Sequence, residues 1–372
     1  MAKTKIVTAQ DKVYDELRQA YQVRRSPSMM KLLKFFYPDL EEAEICKHTE
    51  NLYTGGKPKT PEEVADECGK GVEKVRSVLE KETNYGHLKS RERAGNPGVK
   101  EYFNTGGLGL KNAWGHVRKD DAEGKAFLKI INEVIDEQAG PQYQKPRPLQ
   151  IDETVDPAVN VLPLEMASEV IKTVAKAGKK IAIIYCNCRE YRRKCDRRTD
   201  NCFAFGALAE YYVQLSKTIP GGHPYDFVSE EEALRRLDGA FKDGLVANLI
   251  APYAWGRGMK RNEIPKFEEV LSICCCCSCC CEGLSRYIES GERALPEFLP
   301  VIDQEECTLC ETCIDICPVK ARWHNWPVKA DLSDDFIALD ELKCLGCGLC
   351  AYHCSTKAVK MVRARDLIPV KS

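Results

Sequence analysis

Nineteen of the chain's 21 cysteines fall in four short stretches, at 186–202, 274–281, 307–317 and 344–354. No other feature constrains the chain as tightly. The densest stretch, SICCCCSCCCEG from Ser272 to Gly283, puts seven cysteines into eight residues. Consecutive side chains project in divergent directions, so these thiols cannot all serve one small centre. Free thiols at this density also invite oxidation. A disulfide scaffold is normally a small secreted domain with spaced cysteines. A chain of 372 residues with tight C-x-x-C spacings points instead to metal ligation in a reducing compartment.

The length suffices for two or three domains, and 44% apolar residues allow an ordinary core. A formal net charge of -1 excludes a generic binder of polyanions. The opening MAKTKIVTAQDKVYDEL is polar throughout, so no secretion signal is expected and the cytoplasm is the expected location. No apolar run approaches about 18 residues, so no membrane span is expected.

The chain reads as α+β in four parts: a helical, winged-helix-like domain at 1–139, a linker at 140–160, an α/β cysteine-rich domain at 161–298, and a double-motif module at 299–372. In the first, Thr60 and Glu63 flank Pro61 as a capping box. A second helix carries Val72, Val75, Val78 and Leu79 at helical spacing. Two strands then follow around a turn at Gly95-Asn96-Pro97-Gly98. The stretch GPQYQKPRPLQ, Gly140 to Gln150, holds three prolines in eleven residues and reads as an extended connector. In the third part, KIAIIYC reads as a buried strand whose end presents Cys186 and Cys188 on a shared face. Ser229 and Glu232 cap a helix that Gly244 stops.

The last part repeats one spacing. CTLCETCIDICP and CLGCGLCAYHCS each read C-x2-C-x2-C-x3-C. Three cysteines of such a loop cap three irons of a [4Fe–4S] cluster, and the fourth reaches the neighbouring cluster. Cys307, Cys310, Cys313 and Cys354 are therefore expected to hold one cluster. Cys344, Cys347, Cys350 and Cys317 are expected to hold the other. Paired zinc knuckles are the competing reading, and the full spacing occurring twice argues against it. The segment resembles a bacterial-type two-cluster ferredoxin domain. It departs from that pattern in Ser355, where proline is usual, and in a longer connector with Trp323, His324 and Trp326. That connector is expected to be a hairpin whose aromatics cover a small core, with a docking surface as the alternative.

The middle cysteines read C-x-C-R, then C-D, then C-F-x-F-G, then ICCCCSCCCEG. This order resembles a family of large ferredoxin-like iron–sulfur proteins of anaerobes. Their last motif is C-N-C-C-G-C-C-C, with Cys275 and Ser278 here in place of asparagine and glycine. The resemblance implies ten ligands: Cys186, Cys188, Cys195, Cys202, Cys274, Cys276, Cys277, Cys279, Cys280 and Cys281. It leaves out Cys275. Ten thiols suffice for two additional four-thiolate clusters or one larger centre, with zinc as the competitor. The two stretches are expected to form one shared metal region. Arg189, Arg192, Arg193, Arg197 and Arg198 surround Cys195 in sequence. They could tune a cluster, hold an anion or partner, or form a solvated loop.

Cys46 and Cys68 stand alone and read as small core residues. The helix GVEKVRSVLEKE mixes Glu73, Glu80 and Glu82 with Lys74, Arg76 and Lys81, unlike a face that tracks phosphates. Nucleic acid is therefore not the expected partner. No G-x-G-x-x-G or P-loop occurs. The expected function is one-electron transfer through several iron–sulfur clusters, as a component of an anaerobic oxidoreductase system with a protein redox partner. The alternatives are a reductase with a catalytic iron–sulfur centre in the middle domain, and a redox-sensing regulator acting through the winged helix.

Overall fold

Three helices of the chain's first part are capped by the side chain just before them, Ser26, Asp39 and Thr60. The computed structural model describes residues 9–52, 55–104, 106, 121–137, 147–218, 225–250, 270, 272–291, 293, 295–326 and 335–367. They divide into two units, Met1–Gly140 with Leu215–Pro224, and Pro141–Gln214 with Tyr225–Ser372.

In the first unit the helices run Ala9–Ala20, Pro27–Phe36, Leu40–Cys46, Pro61–Cys68, Val72–Tyr85 and Ala122–Glu137. The Thr60 and Glu63 capping box forms in full: the Glu63 N–H donates to Thr60 Oγ1 at 3.3 Å, and the Thr60 N–H donates to Glu63 Oε2 at 2.7 Å. Leu17, Leu32, Leu33, Ile45, Val64, Val75, Leu79 and Phe127 are completely buried. Cys46 is buried with them, and Cys68 is half-buried. Strands β1 (Lys89–Arg93) and β2 (Asn96–Phe103) pair antiparallel. Their turn is Ala94-Gly95, tighter than the sequence suggests, and Asn96-Pro97-Gly98 already belongs to β2. Gly95, at φ 79, supplies the positive φ that so short a turn requires.

The second unit is built on a four-stranded antiparallel sheet in the order β3-β4-β6-β5. These strands are Ile181–Ile184, Cys202–Phe205, Ser272–Cys276 and Val246–Ile250 respectively. The helices Ala167–Lys176 and Glu230–Lys242 bury Val170, Ile171, Val174, Leu237 and Phe241 in one core with Ile181, Phe203, Phe205, Leu249 and Ile273. The connector's described end, from Arg147 to Gln150, runs beside β5. There the Leu149 N–H donates to Ala247 O at 2.8 Å, and the Leu249 N–H to Arg147 O at 3.1 Å. The rest of that connector, 138–146, lies outside the described residues.

The same core takes in Val319, Ala321, Leu345 and Leu349 of the double-motif module together with Cys275, Cys276, Cys277, Cys280 and Cys281. Further bonds join the module to its surroundings. Tyr352 donates to Asp238 at 2.5 Å, and Gln150 Nε2 donates to Gly346 O at 2.7 Å. Strands β7 (Phe298–Ile302) and β10 (Val359–Arg363) pair antiparallel, as do β8 (Arg322–Asn325) and β9 (Phe336–Leu339).

Two expectations are corrected here. First, β3 stops at Ile184. Cys186 is the residue before the helix Asn187–Arg192, and Cys188 lies inside that helix. The Cys186 N–H donates to Thr199 O at 2.7 Å, which draws the chain off the strand path. Second, the indoles of the β8–β9 hairpin do not cover a core. Strand alternation turns Arg322 inward and Trp323 outward. Trp323 is 48% exposed, and Trp326, stacked on His324 at 3.7 Å, is 66% exposed.

Gly346 adopts φ +68, and a Cβ there would stand 2.4 Å from Phe298 O. Gly291 has a similar φ of +65 with open space around it. Gly291→Ala should cost about 1–2 kcal/mol from the left-handed backbone alone. Gly346→Ala should cost clearly more, read as a lower unfolding midpoint of anaerobic protein. Equal midpoints would show that the close approach to β7 carries no weight.

Candidate metal centre

The two C-terminal motifs fold alike. The backbone takes positive φ at Leu309, Glu311 and Lys320 in the first, and at Gly346, Gly348 and Lys357 in the second. These are equivalent positions, counted from Cys307 and Cys344. Each motif then makes a one-turn helix, Thr312–Asp315 and Leu349–Tyr352. Such loops turn backbone N–H groups onto sulfur. Ala321 donates to Cys317 Sγ at 3.2 Å, and Gly346 donates to Cys344 Sγ at 3.3 Å.

The cysteines of the two motifs are electrostatic neighbours of one another. Burial raises the Cys347 thiol well above its ordinary range, and Cys350, Cys344 and Cys317 raise it further. Cys317, from the first motif, therefore lies among the three cysteines of the second. Cys313 is pushed up to about 11, first by burial, with Cys350, Cys307 and Cys310 adding to the rise. Cys354 hydrogen-bonds Thr356 at 3.5 Å. The two motifs differ in exposure: Cys310 faces solvent, while Cys344, Cys347 and Cys317 pack against the unit's core.

The middle cysteines come together from both stretches and sort into two groups. In the first, the sulfurs of Cys195, Cys277, Cys279 and Cys280 all lie within 4.8 Å of one another. Cys195 Sγ is 3.9 Å from Cys277 and 3.7 Å from Cys280, and Cys279 and Cys280 are 3.8 Å apart. The Lys194 N–H donates to Cys280 Sγ at 3.3 Å. Burial raises the Cys195 thiol, but the Arg197 N–H and the Cys279 and Cys280 thiols outweigh it and bring Cys195 down to about 7.

The second group is a ring of six. Cys186 neighbours Cys188 and Cys202, Cys202 neighbours Cys274, and Cys281 neighbours Cys188 and Cys276. Cys276 and Cys274 are electrostatic neighbours and complete the ring. The adjacent Cys188 and Cys202 thiols, and then burial, hold Cys186 well above its ordinary range. The adjacent Cys188 and Cys276 thiols, and then burial, do the same for Cys281. Thiols that resist ionising together are the donor set that a metal cation converts to thiolates. Cys275 is an electrostatic neighbour of Cys202 and Cys276 but stands off the ring. It is fully buried on β6, where strand alternation sets it opposite Cys274 and Cys276.

Of the five arginines singled out in the sequence, Arg189 lies among the thiols. It is 2% exposed. Its Nη1 donates to Cys275 O at 2.7 Å, and its Nη2 donates to Asn201 Oδ1. Burial disfavours its charge, but Cys186, Cys202 and Cys277 outweigh that and raise its pKa further. It thus stands between the ring of six and the group of four. Arg193, Arg197 and Arg198 are exposed and Arg192 is half-buried. Arg197 Nε donates to Asp243 O at 2.8 Å and Arg198 pairs with Asp200 at 3.0 Å. Cys195, Asp196, Arg197, Arg198 and Asp243 line an open recess of about 670 Å³.

One residue with a matching role went unread in the sequence. Arg322 is 4% exposed and donates to Pro300 O at 3.5 Å. Its guanidinium also neighbours Cys350, whose thiol is raised first by burial and lowered in part by Arg322. It does the same, less strongly than burial, for Cys313. Only the fold brings it between the motifs.

Residues 300–323 match the model of the 4Fe-4S binding domain family. The pyruvate synthase subunit PorD of Methanothermobacter marburgensis is 34% identical over 68 residues, which are 18% of this chain and 70% of that subunit. PorD of Methanocaldococcus jannaschii is 33% identical over 66 residues, 18% of this chain and 69% of the subunit. The archaeal glutamate synthase [NADPH] of Archaeoglobus fulgidus is 35% identical over 65 residues, but the chain spans 12% of its length. No solved structure matches. Among the described residues, no helix is long and apolar enough to cross a membrane.

The Arg189 guanidinium favours thiolate over thiol in its neighbours, and metal binding requires thiolates. Arg189→Met should therefore raise the pH at which acidification releases the middle-region metal, by about one unit or more. Iron release from the C-terminal motifs should not move. An unchanged release pH for the middle region would remove Arg189 from this role.

Proposed function

The chain belongs, through its C-terminal motifs, to the family of ferredoxin-type 4Fe-4S proteins, and from that premise we propose that it carries electrons between a protein partner and its own cysteine-rich middle region. Two clusters are assigned to the C-terminal module, one on Cys307, Cys310, Cys313 and Cys354 and one on Cys344, Cys347, Cys350 and Cys317. A further iron–sulfur centre is assigned to the ring of Cys186, Cys188, Cys202, Cys274, Cys276 and Cys281. The surroundings of these sulfurs, with N–H donors at Cys317 and Cys344 and the buried Arg322 and Arg189 nearby, suit negatively charged clusters.

The observation that carries this reading is the unequal placement of the two motifs. Cys310 is exposed, whereas Cys344, Cys347 and Cys317 pack into the core that holds Cys276, Cys277, Cys280 and Cys281. The first cluster is thus the port for a partner, and the second is the relay inward. PorD is named as a pyruvate synthase subunit, and by analogy the partner is read as part of a multi-subunit oxidoreductase. The helix, turn, helix and hairpin of the first unit are read as a winged-helix-like scaffold for protein contact.

Two measurements test the assignment. Anaerobically purified chain should hold clearly more than the roughly eight irons of two cubanes. A count of eight or fewer would strip the middle region of its electron-carrying role. Cys317→Ala should damage the cluster of Cys344, Cys347 and Cys350, and Cys354→Ala the cluster of Cys307, Cys310 and Cys313. Electron paramagnetic resonance showing each substitution perturbing its own motif's cluster would contradict crossed ligation.

A further inference from the structure

The Cys195 group is too tight for the cluster its neighbours suit. Three of its sulfur separations are 3.7, 3.8 and 3.9 Å, and all lie within 4.8 Å. A disulfide requires about 2 Å, so no pair is bonded. A four-iron cubane with a thiolate on each corner spaces those sulfurs about 6 Å apart. One tetrahedral metal with bonds of about 2.3 Å spaces four sulfurs about 3.8 Å apart, the edge of the tetrahedron. The observed separations match the single metal.

The rest of the chain supplies the comparison. Among the described residues, no other three cysteines bring their sulfurs within 4.8 Å of one another. All eight cysteines of the C-terminal module, and all six of the ring, are therefore spread more widely, as multi-iron clusters require. The group of four differs in kind.

We propose that Cys195, Cys277, Cys279 and Cys280 form a closed site for one zinc ion, separate from the ring of six. Four thiolates around a divalent ion leave a net charge of about -2. The surroundings answer that charge. The Arg197 side chain is a neighbour of Cys195 and the Arg189 side chain a neighbour of Cys277. The Lys194 N–H donates to Cys280. Four protein sulfurs leave no open position, the mark of a structural site, and zinc exchanges no electrons. Binding releases thiol protons to solvent and needs no oxidant or reductant. The ion pins the 194–197 loop to the end of β6 whatever the redox state of the ring.

The test uses the full-length chain, purified anaerobically, with metal analysis and X-ray absorption at the zinc edge. About one zinc per chain is expected, with four sulfurs at about 2.3 Å. Cys279→Ser should lose that zinc with iron and sulfide unchanged. Cys186→Ser should keep the zinc. A loss of about four irons in Cys279→Ser, a single iron in place of the zinc, or nitrogen or oxygen ligands on the zinc would each overturn the proposal. The absorption measurement needs no variant, so a Cys279→Ser chain that fails to fold leaves the test standing. Should Cys186→Ser lose no iron, the electron-carrying reading of the ring fails while the zinc site stands.

Discussion

Sulfur packed as core, and proposed as ligand at the same positions, fills the interior of the second unit. Cys276, Cys277, Cys280 and Cys281 occupy the interior beside Phe203, Ile273 and Leu284, where other proteins place aliphatic side chains. Burial keeps their neighbourhood dry, and dryness makes crowded thiols hard to ionise without a cation. On the proposed assignment, folding and metal loading in this region are one equilibrium rather than two. The β6 strand is central to it. Its alternation sends Cys274 and Cys276 toward the ring and Cys275 into the opposite packing layer.

Much of this was legible in the residues. The capping box at Thr60 and Glu63, the Ser229 cap, the doubled C-terminal spacing and the convergence of the 186–202 and 274–281 stretches all follow from local chemistry. Errors arose where a tertiary bond overrode a local pattern. The run KIAIIYC reads as a strand to its last residue, but the Cys186 N–H is taken by Thr199 O. The hairpin aromatics read as core, but inside and outside are set by which alternate residue meets β7, and Arg322 took the inner place. Sorting ten cysteines into four and six was beyond any spacing rule, since neighbours in sequence, such as Cys276 and Cys277, fall into different groups.

The two buried arginines are the common device of the cysteine regions. Arg189 and Arg322 each sit between two sets of thiols and each also bonds a backbone carbonyl. A guanidinium keeps its charge at any ordinary pH and offers donors in several directions. It can therefore face sulfur on more than one side while fastening itself to a strand. The C-x-C-R motif marks out Arg189, whereas nothing near Arg322 in sequence does, because its place comes from charges gathered by the fold.

The repeated backbone of the C-terminal motifs has a consequence for how such a chain can change. Both copies bend the same way at three equivalent positions, but the second uses Gly346 and Gly348 where the first uses Leu309 and Glu311. The inner copy is confined by contact: Gly346 touches β7 and Gly348 approaches Thr154. The outer copy, open to solvent at Cys310, carries Leu309 and Glu311 at those bends, and Glu311 accepts from His324. A change of loop shape or charge is thus accommodated more easily at the outer copy, while the inner loop stays locked against β7 and Thr154.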